Sequence, residues 1–253
     1  MDYLKNKHLD ERDKSVSLDE ETHIYTINDE TDYISTTTWI HSHFSEFDSD
    51  KIITNMMNGK NWKKSKYYGK SREEIKDMWE ANGREAAEAG TKLHLDIEKF
   101  YNKLEVNNDS VEYKQFKKYN SENTHNPYRT EWLIWDEEHK IAGSVDMVYQ
   151  NKDGSLEIWD WKRSKQITKN KIFETYAKTE CINHLPDSNY WHYALQLNLY
   201  KSILERKYKK KICKLCLVVF HPTKKDYEII ELPELDYEIN KLLELRKLEI
   251  EKT

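Results

Sequence analysis

The 253-residue sequence has little cysteine, glycine and proline, with 3 Cys, 6 Gly and 4 Pro. Three cysteines cannot all pair, and their scarcity suits a reducing compartment, the cytoplasm or nucleus, better than a disulfide framework. No Gly/Pro-rich linker separates two halves of the chain. The sequence therefore predicts one folded domain over 21–253, with its core at about 72–232, after a loose arm over 1–20.

Long apolar runs and a basic charge balance are also absent. The longest apolar run is 215–220, far short of the roughly 20 residues that span a bilayer. The charged start of the chain contains no apolar signal segment, and we expect no membrane partner. The net charge is -5, so any contact with nucleic acid must be local. Basic stretches lie at 61–72, 162–171 and 206–211, and each alone is more typical of a solvated surface.

Aromatic residues are abundant, with 8 Trp and 17 Tyr, and they supply apolar surface for a core. Near the start of the chain, 22–27 and 32–38 flank a polar turn, which predicts a β-hairpin. Thr38 then suits the N-cap of a helix that begins at Trp39. The sequence therefore predicts a hairpin and helical extension ahead of the core.

The remaining pattern predicts alternating helices and strands. Ser71 and Glu74 form a capping box that opens a long helix, whose later part carries the apolar stripe Leu93, Ile97, Phe100 and Leu104. Three strand candidates follow at 128–135, 140–150 and 155–164, then a helix at 191–208, strands at 213–222 and 226–232, and a helix at 234–252. This order predicts an α/β fold with helices on the faces of a mixed central sheet.

Two of the predicted strands carry acidic residues in register. Alternation puts Asp160 and Lys162 on one face of the third strand, and a five-residue connection would set Asp146 directly opposite Asp160. Two carboxylates with Cβ atoms roughly 5 Å apart repel each other unless a cation lies between them. Their oxygen ligands suit Mg²⁺ or Mn²⁺, and the lysine could act on an attacking water. The alternative is an ordinary ion pair of Asp160 with Lys162, with Asp146 facing water.

These residues resemble the D…(D/E)-x-K signature of the PD-(D/E)XK nuclease superfamily, in particular its RecB-like exonuclease branch. That branch also has a G-x-x-x-H helix upstream and a Q-x-x-x-Y helix downstream. The matching residues occur here in the family order: Gly90 and His94, Asp146, Asp160 and Lys162, and Gln196 and Tyr200. The agreement extends from Gly90 to Tyr200 and is more specific than the short D-x-K element alone.

The resemblance implies a restriction-endonuclease-like core in the order α-β-β-β-α-β. It implies a magnesium- or manganese-dependent deoxyribonuclease, an exonuclease in repair, recombination or genome processing. The implied metal ligands are His94, Asp146, Asp160 and the Trp161 carbonyl, while Lys162 would act on the attacking water. Gln196 and Tyr200 would contact the substrate strand.

Further site residues are expected with less support from the pattern. Glu98, one helical turn after His94, could hold a second cation or orient His94, and Glu131 corresponds to an acid often seen in RecB-like proteins. The basic residues expected to bind DNA phosphates are Lys63, Lys64, Lys66, Arg163 and Lys165. Three cysteines are too few for the four-cysteine iron-sulfur cluster of some relatives, so no cluster is expected.

Two other functions remain open at this point. Viral RNA endonucleases resemble the same set of His, two acids and Lys, and a non-catalytic nucleic-acid-binding module could keep the fold. The composition, rich in Lys, Asn and Ile, is typical of an AT-rich genome and fits a large DNA virus or phage.

Overall fold

A computed structural model describes residues 1–170 and 175–252. Lys171, the last residue of the basic stretch 162–171, lies outside them. The chain divides into two compact units, Met1–Ser45 with Leu93–Thr253, and Glu46–Lys92. The prediction of one domain over 21–253 stays a prediction.

The helices and strands follow the order expected for the core. The helices are α1 Tyr3–Lys7, α2 Thr36–Ser42, α3 Ser49–Met57, α4 Arg72–Tyr101, α5 Val111–Glu122, α6 Asn189–Tyr208 and α7 Asp236–Ile250. The strands are β1 Val16–Asp19, β2 Ile24–Ile27, β3 Ile34–Ser35, β4 Pro127–Asp136, β5 Ile141–Gln150, β6 Leu156–Arg163, β7 Ile212–Phe220 and β8 Glu228–Glu231. The capping box is confirmed, because the Ser71 and Glu74 side chains accept hydrogen bonds from each other's backbone N–H groups.

The larger sheet is six-stranded and mixed. Its path runs β3-β5-β6-β7-β8, and β4 pairs with β5. The β4–β5, β5–β6 and β7–β8 pairs are antiparallel, whereas β6–β7 and β3–β5 are parallel. The predicted α/β class with a mixed central sheet is therefore confirmed.

Helices cover both faces of this sheet. On one face Val148 and Ile158 share a core with residues of α2, α6 and α7. On the other face Trp159 and Trp161 share a core with residues from the end of α4 and from α5. Leu93 and Ile97 of the predicted stripe are buried here, but Leu104 is exposed because α4 ends at Tyr101. Both faces of β6 are thus buried, which accounts for its high aromatic and aliphatic content.

The first twenty residues are structured, whereas the sequence predicted a loose arm. Leu4 in α1 is buried, and β1 pairs with β2. The Asp13 carboxylate receives two hydrogen bonds from the Arg129 guanidinium, and both side chains are at least 94% buried. A charged segment therefore becomes ordered because one of its acids neutralises a buried arginine of β4, a partner 116 residues away.

The sequence predicted that 22–27 and 32–38 pair as a hairpin, and this prediction is wrong. β2 pairs with the preceding β1, and β3 pairs instead with the start of β5 in parallel. The N-cap of α2 is Ser35 and not Thr38, because the Ser35 hydroxyl accepts the Thr38 N–H and the helix begins at Thr36.

The Glu46–Lys92 unit contains α3 and most of α4. Within it, Ile53 and Ile75 are fully buried, Lys76 forms an ion pair with Asp50, and the Trp79 indole N–H donates to the Tyr67 hydroxyl at 2.8 Å.

We expect Asp13→Ala to lower the free energy of unfolding by about 3 kcal/mol, because it leaves the Arg129 guanidinium buried without its carboxylate. Glu11→Ala, an exposed acid in the same turn, should change it by less than about 0.5 kcal/mol. Urea unfolding at pH 7 measures both variants. If Asp13→Ala is as stable as the unmodified chain, the result favours the loose arm that the sequence predicted for 1–20.

The same pair predicts an acid-sensitive contribution to stability. Burial would raise the pKa of Asp13, but hydrogen bonds from Arg129 and from the Asp10 N–H outweigh burial and lower it. Because the folded pKa lies below the unfolded value of about 4, the stabilisation is present above pH 4 and is lost as the pH falls further. The unfolding curves of the unmodified chain and Asp13→Ala should therefore converge in acid.

Candidate metal centre

The centre of the larger sheet contains a gap in the strand pairing. One edge of β5 pairs with β4 along its length. The other edge pairs with β3 at Ile141 and Ala142, and with β6 from Met147 to Gln150. The residues between these two ladders, 143–146, have no strand partner on that edge within the described part of the chain. Val148 faces Ile158, which is the register that the predicted pairing of Asp146 with Asp160 requires. The ladder nevertheless ends at Met147 and Trp159, before Asp146 and Asp160 would pair.

Asp146 replaces the missing strand partner of β6. Its Oδ2 accepts the Trp161 N–H at 2.9 Å, so a side chain occupies the position that a β5 carbonyl would have in a continued ladder. A buried backbone N–H must have a partner. The carboxylate is therefore fixed where the two strands separate.

Gly143 allows the helix layer to approach this gap. A Cβ on Gly143 would lie 2.6 Å from the Tyr200 ring and 2.9 Å from the Thr36 hydroxyl. Thr36 also donates to the Ala142 carbonyl. Only glycine fits here, because α2 and α6 both pack directly on the β5 backbone.

His94 reaches the gap from the last turns of α4. Its Nε2 lies 2.9 Å from the Trp161 carbonyl oxygen, and its Nδ1 lies 3.4 Å from Asp146 Oδ2. The Trp161 N–H thus contacts Asp146, and the Trp161 C=O contacts His94. The structure brings His94, Asp146 and the Trp161 carbonyl together.

Glu131 completes this group from β4. It lies between the pairs Thr130–Met147 and Trp132–Val145, which places it opposite Asp146. Its Oε1 lies 3.9 Å from His94 Nδ1, and its Oε2 accepts the Ser144 hydroxyl at 2.8 Å. Its φ of 41° is a strained value for a residue within a strand, and such strain persists only where the surroundings enforce it. One ligand atom from each of His94, Glu131 and Asp146 lies within 4.8 Å of the others.

Asp160 precedes Trp161 on β6 and is 2% exposed. Its Oδ2 lies 2.6 Å from Lys162 Nζ. Lys162 Nζ also lies 4.5 Å from the centre of the Tyr193 ring of α6, a cation–π contact that the sequence gave no reason to expect. Asp160 does not belong to the group that His94 forms with Glu131 and Asp146.

The charges of the site favour an additional cation. Burial and the charge of Asp146 raise the pKa of Glu131, and the same two causes raise the pKa of Asp160. Burial alone would lower the pKa of Lys162, but the charges of Asp160 and Asp146 outweigh it and raise that pKa. The carboxylates therefore repel each other in spite of the one ammonium group among them. Two carboxylates, an imidazole and a carbonyl are a donor set that can hold a divalent cation.

A second acidic cluster provides a contrast. Asp136, Glu138 and His139 also have ligand atoms within 4.8 Å. Arg206 Nη2 lies 2.7 Å from Asp136 Oδ2, and Lys207 Nζ lies 3.2 Å from Oδ1. Burial would raise the pKa of Asp136, but His139 and Arg206 together lower it well below the usual range. Protein cations already neutralise this cluster, so it does not need a metal ion.

The structure gives Glu98, Gln196 and Tyr200 surroundings that the sequence did not predict, and their expected roles stay predictions. Glu98 lines a cavity of about 140 Å³ that Glu131, Lys5 and Arg129 also line, although it is absent from the group around His94. Tyr200 is 3% exposed, and its hydroxyl accepts the Gln196 amide at 3.0 Å. Because Tyr200 packs on Gly143, its ring supports the sheet and orients Gln196 and offers no surface to a substrate strand.

The predicted phosphate-binding residues have different surroundings. Arg163 donates to Glu112 at 2.7 Å, so its charge is already compensated. Lys165 is exposed, as are Lys63, Lys64 and Lys66. The binding of nucleic acid by these residues stays a prediction.

No protein-family model matches the sequence, and no curated protein does. Among solved structures the chain is similar to the crystal structure of SSO0001, with a TM-score of 0.36, 16% identity, and coverage of 88% of this chain and 78% of that one. It is also similar to a candidate exonuclease from Eubacterium rectale, with a TM-score of 0.34, 13% identity, and coverage of 87% and 79%. Neither likeness carries the function proposed below, which rests on the geometry of the site. Among the described residues, every helix is too short or too polar to cross a lipid bilayer.

We expect Mn²⁺ or Mg²⁺ to stabilise the chelator-treated protein, by about 2.7 kcal/mol at a hundred times the dissociation constant. Asp146→Asn removes a ligand and its charge, and it should weaken cation binding at least about tenfold. Glu138→Gln alters the neutralised cluster and should leave cation binding intact. Thermal unfolding with titrated cation measures all three proteins. Equal stabilisation of Asp146→Asn and the unmodified chain would contradict the assignment.

Proposed function

We propose that the protein is a metal-dependent nuclease that hydrolyses phosphodiester bonds of DNA. The observation that carries the proposal is the junction of β5 and β6, where Asp146 accepts the Trp161 N–H, His94 contacts the Trp161 carbonyl, and Lys162 pairs with Asp160. Carboxylates, an imidazole and a lysine at one strand junction are the groups that metal-assisted phosphodiester hydrolysis requires.

His94, Glu131, Asp146 and the Trp161 carbonyl are the residues that would hold the cation. Asp160, predicted from the sequence as a further ligand, lies outside their group and would instead position Lys162. A divalent cation held there would supply positive charge for the phosphate oxygens and a lower pKa for an attacking water. Glu131 was a secondary candidate from sequence, and its place opposite Asp146 supports a main role.

Lys162 has a different task from the ligands. Its ammonium group stays protonated, because the charges of Asp160 and Asp146 raise its pKa. A protonated lysine cannot remove a proton from water, so it would stabilise the negative charge that develops on the phosphate. The contacts with Asp160 and the Tyr193 ring fix the position of the ammonium group.

The finer features of the proposal follow from the resemblance. They are membership of the RecB-like branch and exonuclease action in repair, recombination or genome processing. Origin in a large DNA virus or phage is proposed instead from the composition, rich in Lys, Asn and Ile. An intracellular location agrees with the free cysteines Cys181, Cys213 and Cys216.

We expect Lys162→Ala to slow cleavage by about 100-fold or more, because it removes charge stabilisation in the transition state. Cation binding, read by the thermal shift, should persist in this variant. Lys152→Ala, an exposed lysine of the β5–β6 connection, should cleave at the unmodified rate. The assay uses end-labelled single- and double-stranded DNA and RNA with Mg²⁺, Mn²⁺ or chelator.

Asp160→Asn provides the second arm of this assay and should also abolish metal-dependent cleavage. Cleavage that neither substitution changes would remove the site. Products from RNA alone would favour the RNA endonuclease, and salt-sensitive binding without products would favour the non-catalytic module.

A further inference from the structure

The stretch 51–72 concentrates positive charge in a chain whose net charge is -5. It contains no Asp or Glu, and its basic residues are Lys51, Lys60, Lys63, Lys64, Lys66, Lys70 and Arg72. In the part of the chain that the structure describes, none of the lysines in this stretch forms an ion pair, although nearby Lys76 pairs with Asp50. This charge is therefore left for an external anion.

A cavity of about 410 Å³ opens among these lysines. It follows the end of α3, and its lining includes Met56, Trp62, Lys60, Lys64 and Ser65. Its volume lies within the range of about 300–1,000 Å³ that is usual for small-molecule sites. An indole and a thioether offer a flat, polarisable wall, and two ammonium groups lie at the margin.

The aromatic residues of this stretch have separate tasks. Tyr67 is a structural residue, because its hydroxyl accepts the Trp79 N–H and its ring packs against Trp79. The Trp62 ring instead contacts Tyr68, at 5.7 Å between centres, and Tyr68 is 54% exposed. Trp62 is half-buried and lines the cavity, so Trp62 and Tyr68 are the rings of this stretch that a base can reach.

We propose that the cavity around Trp62 binds unpaired nucleotides, with a base stacked on the indole and the flanking phosphates on Lys60 and Lys64. The choice of a nucleic acid as ligand rests on the proposed function. Charge alone would suit any polyanion, but an aromatic wall beside the lysines suits a strand that alternates phosphates with flat rings. A base-paired duplex keeps its rings stacked inside and presents only phosphates to such a surface.

The test compares strands that differ only in their bases. The full-length protein in chelator is titrated with a labelled twelve-nucleotide oligothymidylate and with an abasic strand of equal length, and binding is read by fluorescence anisotropy. Loss of one stacked base costs about 5- to 150-fold in affinity. Trp62→Ala should lose about tenfold on oligothymidylate and nothing on the abasic strand, and Trp62→Phe should keep most of the affinity. Tyr237→Ala, an aromatic 65% exposed on α7, is the matched control.

The lysines are tested through the salt dependence of binding. Lys60→Ala with Lys64→Ala should reduce the slope of log affinity against log salt by about 1.4, since each phosphate contact on a single strand contributes about 0.7. The exposed pair Lys114→Ala with Lys117→Ala on α5 should leave the slope unchanged. If Trp62→Ala lowers the midpoint of thermal unfolding, that variant is set aside. The test then rests on the Lys60→Ala with Lys64→Ala variant and on the affinity of the unmodified chain for the abasic strand.

Two results would overturn the inference: binding of oligothymidylate by folded Trp62→Ala as tightly as by the unmodified chain, or equal affinity for a blunt duplex. The chelator separates this inference from the proposed function. Trp62-dependent binding without cleavage in any cation would refute the nuclease and keep the strand site. Metal-dependent cleavage with Trp62-independent binding would refute the strand site and keep the nuclease.

Discussion

The hydrogen bond from the Trp161 N–H to the Asp146 carboxylate is the interaction on which the site depends. The pairing of β5 with β6 stops at Met147 and Trp159. The Trp161 N–H lies beyond this last pair and would otherwise lack an acceptor. Asp146 supplies the acceptor and is thereby held beside His94. The separation also opens the space in which the ligand atoms of β4, β5 and α4 meet. The same local break in strand pairing thus fixes Asp146 and leaves its carboxylate beside His94 and Glu131.

The sequence predicted the core well because its signals are local. Alternation in β5 and β6, the capping box at Ser71 and the turn before Ser155 each depend on a few neighbouring residues, and the register of Val148 with Ile158 followed from them. Contacts between distant residues were not predictable in this way. The Asp13–Arg129 pair orders the first residues, and α5 is held by a face of Tyr113, Phe116 and Tyr119, whose spacing of three gives a weak helical pattern.

The site was predicted in part for the same reason. His94, Asp146 and the Trp161 carbonyl meet as the family motifs imply. Glu131 was underrated, since its position opposite Asp146 requires the register of β4, and Tyr193 was missed, since its contact with Lys162 depends on how α6 packs. Tyr200 was assigned to the substrate because the family resemblance implies that role. The packing of its ring on Gly143 was invisible without the sheet.

Trp161 joins the site to the aromatic core. Its N–H and C=O face Asp146 and His94, while its indole stacks on Tyr101 at an interplanar angle of 9° and contacts Phe116 and Tyr119 edge-on. A backbone carbonyl cannot be replaced by mutation, but its orientation follows that of the Trp161 indole. The rings of α4 and α5 therefore hold the Trp161 peptide in place. Substitutions among those interior rings would change the cation affinity of the proposed centre without altering any of its candidate ligand side chains.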